Sequence, residues 1–375
     1  MLDALAIKQY AQEFGADVVG IASMDRFEGA PKQMDIRYAM PEAKSLIVMG
    51  FRVMRGSLRG VEEGTFFTNY SAMGYGFINY QVFPMTCRQL SRVIENEGYE
   101  AMPVGYQFNW GAINNTDGTP RKSANGGPWS RPVREGLPAP DIYASVRIAA
   151  YLAGLGEIGY SKVFINPVYG PRVRYAMVMT ELPLEPDPIM EPGTLCNRCL
   201  ACVRDCPGSA ISAEETVKVK LGGYDVEWGK LDPHRCNEAF RGADRAPEGQ
   251  KGDYLTGSDQ FQPSAISPFY QKPYNIFGTG QAICGGRGCV RACMINLEKR
   301  GVLQNKFKQE FRRRPQWTID WSDYNASHIA DPENVNRKVV PVRQGEEFYG
   351  VKTVSKNADE KKNAADIKDS MMVDK

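Results

Sequence analysis

Histidine is nearly absent from this chain, with His234 and His328 the only two among 375 residues. So small a supply argues against a histidine-built zinc or iron centre. No G-x-x-x-x-G-K-[ST] stretch occurs, which removes the P-loop nucleotide binders. No apolar run approaches the ~18 residues of a membrane span. The opening MLDALAIKQYAQEFG is amphipathic, without a basic n-region, an apolar h-region or a twin arginine, so the expected location is the cytoplasm. The formal net charge is only +2, which gives no electrostatic reason to expect nucleic acid or an anionic membrane as partner. No fixed-period repeat is present. The remaining composition is ordinary for a globular protein, 42% hydrophobic and 24% charged, and the length suits two domains with an extension.

What the chain does have is a concentrated set of cysteines. Eight of its nine lie between 196 and 293. The first group, Cys196-Asn-Arg-Cys199-Leu-Ala-Cys202-Val-Arg-Asp-Cys206-Pro207, has the bacterial ferredoxin spacing C-x2-C-x2-C-x3-C-P. Three thiolates on a tight loop reach three irons of one cubane, and the fourth, expected on the following helix and pointing away, serves a second cluster. A structural zinc site needs only four ligands and seldom ends in Cys-Pro. The second group, Cys284-Gly-Gly-Arg-Gly-Cys289-Val-Arg-Ala-Cys293-Met294, widens the first gap and replaces the proline by methionine. Its glycines allow the backbone to wrap a cluster all the same. It is one ligand short, and Cys236 is the obvious supplier. The predicted sets are therefore Cys196, Cys199, Cys202 and Cys293 for one [4Fe-4S] cluster, and Cys206, Cys236, Cys284 and Cys289 for the other. A three-iron or water-ligated second cluster stays open. Low-potential electron transfer in an anaerobic or cytoplasmic setting follows. Cys87, alone at helical spacing, reads as a core residue.

Along the chain, helix then strand is predicted over 1–24, a buried strand over Ser45 to Phe51, and a mostly helical, aromatic-rich segment from Tyr70 to Gly98. Residues 105–140 read as a long loop. A helix-compatible stretch runs from Ile142 to Leu152, and Tyr175 to Thr180 is a further strand. Pro183, Pro186 and Pro188 mark a linker, residues 240–275 a polar insertion, and the composition after Lys352 disorder. Gly154-Leu-Gly-Glu-Ile-Gly159 has the G-x-G-x-x-G form but follows a helical stretch, so a Rossmann site is rejected. His234, in Asp232-Pro-His-Arg-Cys236, lacks the glycine of a D-x-H-x-x-G cobalamin signature and reads as a surface or supporting residue.

Three consecutive stretches resemble the reductive dehalogenases: Pro140 to Gly159, Ile165 to Arg174, and Met179-Thr-Glu-Leu-Pro-Leu-Glu-Pro-Asp187, continuing into Cys196 to Pro207. Epoxyqueuosine reductase is a relative with the same plan, and its N-terminal pattern is similar to Ile7 to Ile21 and Pro41 to Val48. The resemblance implies an α+β chain: a nitroreductase-like, corrinoid-binding α/β domain over 1–187, a two-cluster ferredoxin-like domain over 188–300, and a C-terminal extension over 301–375. It further implies a base-off cobalamin, a low-potential donor such as ferredoxin or flavodoxin, and reductive cleavage of a carbon–halogen or similar bond in a small organic substrate.

Family members of the two kinds donate a proton from tyrosine or aspartate, which points to Tyr143 and Asp141, with Arg147 one helical turn on to steady a phenolate. Asp141 as a helix cap and Tyr143 as a core residue are the plainer readings. Lys162, Arg172 and Arg174 are the candidates for corrinoid contacts, or else lie on a solvated edge. The aromatics Phe66, Phe67, Tyr70, Tyr75, Phe77, Tyr80 and Phe83 read more readily as core than as a pocket wall. Tyr106, Phe108, Trp110 and Trp129 are the better pocket candidates. Departures from the family are the missing twin-arginine signal, the missing HEAT-type C-terminal region and the altered second cysteine group. Epoxide reduction on tRNA and a non-enzymatic two-cluster electron carrier are the alternatives. A homodimer is open.

Overall fold

The computed structural model describes residues 2–63, 65–66, 69–105, 133–138, 142–232, 236, 284–312, 317–319 and 339–341. The loop aromatics Tyr106, Phe108, Trp110 and Trp129, together with Asp141, His234 and the polar insertion, lie outside these residues.

Helix α1 (Ala4–Glu13) is capped by Asp3, whose carboxylate accepts the Ala6 N–H at 2.8 Å. It buries Ile7 and Ala11 and leads through Gly15 into β1 (Val18–Ser23). Then follow β2 (Ser45–Arg52), the short helix α2 (Arg59–Glu63), α3 (Phe83–Asn96) and β3 (Ala101–Val104). After the loop come α4 (Val146–Leu152), the paired short strands β4 (Glu157–Ile158) and β5 (Phe164–Ile165), and the long β6 (Val173–Thr180). The sheet has the order β1-β2-β6-β3 with every pair antiparallel. The architecture is thus mixed α and β.

The two central strands are buried on both faces, so side-chain alternation divides one sheet between two cores. Ile47, Met49 and Phe51 of β2 and Ala176 and Val178 of β6 pack with α1 and α3. Leu46, Val48, Tyr175, Met177 and Met179 point the other way, onto Tyr151 and Leu152 of α4. Cys87 is buried in the first core with its thiol 3.8 Å from the Met177 carbonyl, and burial pushes that thiol up to about 12. It is a core residue, as its spacing suggests.

The predicted helix, strand and strand of the N-terminal half and Tyr175 to Thr180 all form. Two details differ. First, the Tyr70–Gly98 segment begins as wide, π-helical turns over Tyr70–Gly76 and Ile78–Val82, becoming an α-helix only at Phe83. Such widened turns gather at functional sites. Second, the helix expected from Ile142 starts only at Val146, after an extended Ser145. Tyr143 therefore precedes the helix and is not one helical turn from Arg147.

Past Thr180 the chain passes the prolines and enters the cysteine region. The very short α5 (Ala201–Arg204) lies within the first cysteine group. An antiparallel hairpin of β7 (Ile211–Leu221) and β8 (Tyr224–Leu231), absent from the sequence expectations, follows it. The second group winds through a π-helical turn, Arg287–Ala292, into α6 (Cys293–Lys299). This region is packed onto the first: Met294, Ile295 and Phe311 belong to the core of α1 and α3. Two short strands, β9 (Trp317–Ile319) and β10 (Val339–Pro341), pair with each other.

Gly20 of β1 shows how closely α4 and the sheet meet, since a Cβ there would lie 2.2 Å from the Ala153 carbonyl oxygen. Gly20→Ala must displace backbone and is expected to cost about 2 kcal/mol or more. Urea unfolding of the two proteins measures it, and an unchanged midpoint refutes this packing.

Candidate metal and redox site

A buried carboxylate sets the first cysteine loop. Glu157, 1% exposed at the start of β4, accepts the backbone N–H groups of Gly193 at 2.5 Å, of Leu195 at 2.6 Å and of Cys196. Three charge-assisted hydrogen bonds fix the approach to the first thiol. Beyond it the chain turns tightly: Arg198 and Leu200 both adopt left-handed backbone, φ 53° and 56°. Side chains rarely tolerate that conformation, and such strain gathers at functional sites. The N–H of Tyr160 points to the Cys196 sulfur at 3.3 Å, and that of Ala210 to the Cys206 sulfur at 3.4 Å. Amides directed at sulfur tune the potential of a cluster held there.

The second loop needs its glycines. Gly285 and Gly286 are left-handed, at φ 53° and 64°. Gly288 lies so close to the first loop that a Cβ would fall 2.6 Å from the Cys202 oxygen and 2.7 Å from the Cys206 nitrogen. The two loops thus interlock backbone to backbone.

The thiols separate into two electrostatic groups. Burial, then the charges of Cys196 and Cys199, push Cys202 up to about 11. Cys293 is raised well above the usual thiol range by burial and then by Cys196, Cys202 and Cys199. Cys284 is pushed up to about 11, chiefly by burial, with Cys236 and Cys206 adding to it. Cys289 is raised by burial and then by Cys284, Cys236 and Cys206. Cys289 also acts on Cys293, so the groups adjoin.

Among the described residues, no three Cys, His, Asp or Glu side chains converge tightly enough for a single metal ion. A cubane asks for something wider, one thiolate at each of four corners. Two interlocked cysteine loops, with an N–H donor on the sulfur of Cys196 and another on that of Cys206, fit that requirement.

The remaining candidates fall into three places. Tyr143 is half-buried; burial raises its phenol pKa and the nearby Arg147 partly offsets this. Arg147 also acts on Lys162, lowered mainly by burial, and on Cys236 and Cys289. The Lys162 ammonium stands 5.4 Å from the Trp228 ring centroid. Tyr143, Arg147 and Lys162 therefore share one electrostatic neighbourhood with the second thiol group. Arg174 is on the other face of the sheet, bonded to the Gly74 carbonyl at 2.9 Å and to Asn79 and Tyr70, and lying over the Tyr75 ring. Beside it the buried Ser71 hydroxyl and Asn79 amide nitrogen have no hydrogen-bond partner among the described residues. Arg172, 1% exposed, serves the fold: it donates to the Val53 carbonyl and to Asn305, both at 2.9 Å.

Spacing alone missed Glu62. It is 4% exposed, with Arg291 2.8 Å away and Arg312 bonded to its other oxygen; Arg312 also reaches Asp205 at 3.0 Å. Nothing local in Arg59-Gly-Val-Glu62-Glu63 signals these distant partners.

No family model matches the chain. A tetrachloroethene reductive dehalogenase of Dehalobacter restrictus is 37% identical over 106 residues, 25% of this chain and 19% of that protein. An epoxyqueuosine reductase of Listeria monocytogenes is 33% identical over 69 residues, 18% of either protein. Among solved structures, the catabolic reductive dehalogenase NpRdhA in complex with 3-bromo-4-hydroxybenzoic acid aligns over 90% of this chain and 45% of its own, at TM-score 0.45 and 16% identity. The matched stretches span less than a fifth of the length of these curated relatives. No helix among the described residues is long and apolar enough to cross a membrane.

Glu157→Ala removes an acceptor from three N–H groups and is expected to cost about 3 kcal/mol, with Glu157→Gln losing less. Chemical unfolding of the iron-free proteins reads this directly. Equal stability of all three would show that the loop does not hang on this carboxylate.

Proposed function

We propose, from a chain that is related to the reductive dehalogenases, a corrinoid-dependent reductase with two [4Fe-4S] clusters that cleaves a carbon–halogen bond or one with a similar leaving group. The backbone interlock of the two cysteine loops, Gly288 lying against Cys202 and Cys206, carries the reading. Cys196, Cys199, Cys202 and Cys293 hold one cluster, and Cys206, Cys236, Cys284 and Cys289 the other. When bound, the clusters pass single electrons and the corrinoid supplies the reducing metal at which the bond breaks. The unpartnered Ser71 hydroxyl and Asn79 amide beside Arg174 offer the polar contacts that a macrocycle rimmed with carboxamides requires. Lys162 is the candidate cation for its phosphate-bearing tail. A small organic substrate and a low-potential donor such as ferredoxin or flavodoxin complete the system.

Tyr143 is the proposed proton donor. Burial favours its neutral form and Arg147 favours the anion left after donation, so the pair can release a proton and hold the resulting charge. Asp141 is the alternative acid. Because the folded pKa of Tyr143 is raised, the donor stays protonated through neutral pH and is lost only above about 10. Tyr143→Phe is expected to lower kcat by about 10²–10⁴-fold with cofactors retained. Full activity in that variant transfers the role to another acid.

A second reading, epoxide reduction of the epoxyqueuosine type, is favoured by the match to the Listeria monocytogenes enzyme. EPR of protein reconstituted anaerobically with iron, sulfide and cobalamin and then partly reduced tests what the two readings share. Base-off cob(II)alamin beside two reduced cluster signals is expected. Clusters without retained cobalt would leave an electron carrier instead. Turnover of halogenated organics against an epoxyqueuosine-bearing tRNA stem loop then separates the two reductases.

A further inference from the structure

Glu62 and Arg291 ligate nothing themselves, yet they form the most deeply buried ion pair of the described residues. Arg291 is fully buried and Glu62 4% exposed, 2.8 Å apart. Arg291 occupies the middle of Cys289-Val-Arg-Ala-Cys293, and its Nη2 lies 3.5 Å from the carbonyl oxygen of Cys284. A permanent cation is thereby placed inside the second cysteine loop. Among the described residues the Arg291 Nε and Nη1 atoms make no hydrogen bond, and Nη1 faces Glu62 as an ion pair. Glu62 in turn comes from α2, remote in sequence, and divides its charge between Arg291 and Arg312.

Resting on the two-cluster reading above, we infer that Glu62 and Arg291 are positioning residues that set the reduction potential of the cluster on Cys206, Cys236, Cys284 and Cys289. Reduction adds one negative charge to that cluster. A nearby buried cation stabilises the added charge, and a carboxylate that neutralises the cation withdraws part of the stabilisation. The interior screens such charges poorly, so the pair acts more strongly than a surface pair would. Arg291 raises the potential and Glu62 holds it down.

The opposite signs distinguish this role from simple support of the loop, since a loosened loop has no reason to move the potential in opposite directions. The test is an EPR-monitored redox titration of the reconstituted full chain with dithionite. The couple missing from Cys284→Ala marks the cluster of interest. Arg291→Gln is expected to shift that couple to more negative potential and Glu62→Gln to less negative potential. The double variant should return toward the wild type, and the other couple should stay in place throughout. If Arg291→Gln fails to assemble this cluster, Glu62→Gln alone decides: an upward shift supports the inference, and an unmoved couple overturns it. Shifts of one sign in both single variants also overturn it. A wild-type chain that shows no pair of cluster signals sinks the two-cluster reading itself, whereas a wild type with two couples that ignore both substitutions sinks only the inference.

Discussion

The missing side chain of Gly288 is the constraint on which the cysteine region depends. With a Cβ at that position the two loops would collide at the Cys202 oxygen and the Cys206 nitrogen. Without one, the backbones touch, and thiols that are eighty or more residues apart in sequence become neighbours, Cys293 with Cys196 to Cys202 and Cys289 with Cys206. Contact of this kind cannot be supplied by apolar packing, because cysteine loops of this length bury few large side chains. Other elements therefore hold the loops: Glu157 grips the first from the side of β4, and Glu62 grips the second through Arg291. Both are buried carboxylates whose desolvation is offset by several partners, which makes them costly to remove and demanding of one arrangement.

The sheet explains why those carboxylates stand where they do. Strands β2 and β6 are apolar on both faces and run antiparallel through eight residue pairs from Ser45 with Thr180 to Arg52 with Val173. One core accepts α1 and α3, the other α4. Helix α4 ends at Leu152, and Gly154 and Gly156, left-handed and pressed against the carbonyls of Pro188 and Ile165, turn the chain directly into Glu157. The G-x-G-x-x-G pattern is thus a packing device between a helix and a strand pair, delivering a carboxylate to the cysteine loop.

Much of this was legible in the sequence where the signal is local. The apolar runs at Val18 to Ile21, Ser45 to Phe51 and Tyr175 to Thr180 are strands because their length and burial leave no other choice. The cysteine spacing marked both loops that the fold brings together at Gly288. The hairpin too has a local signal: Val217, Val219 and Leu221 alternate with lysines up to Gly222-Gly223, and Val219, Leu221, Val226 and Trp228 pack onto the core of α4. The wide turns over Tyr70–Val82 carry no residue signature that separates them from an α-helix. The roles of Glu62 and Arg172 were invisible for a different reason, since each depends on a contact more than a hundred residues away.

Residues 301–312 tie the cysteine region to the sheet. After α6 the chain does not leave the protein. Gln304 and Asn305 donate backbone N–H groups to the carbonyls of Pro167 and Val168. Arg55 lies over the Phe307 ring at 4.1 Å, Phe311 enters the core of α1 and α3, and Arg312 reaches both Glu62 and Asp205. A strap that begins at the last cysteine helix and ends on the carboxylate of α2 encloses the second cysteine loop. Since Asp205 directly precedes Cys206, the same strap touches the first loop at the residue that belongs to the second thiol group. The relative placement of both groups is thus set jointly by the sheet, the strap and the Gly288 contact. An isolated cysteine domain would keep only the last of these.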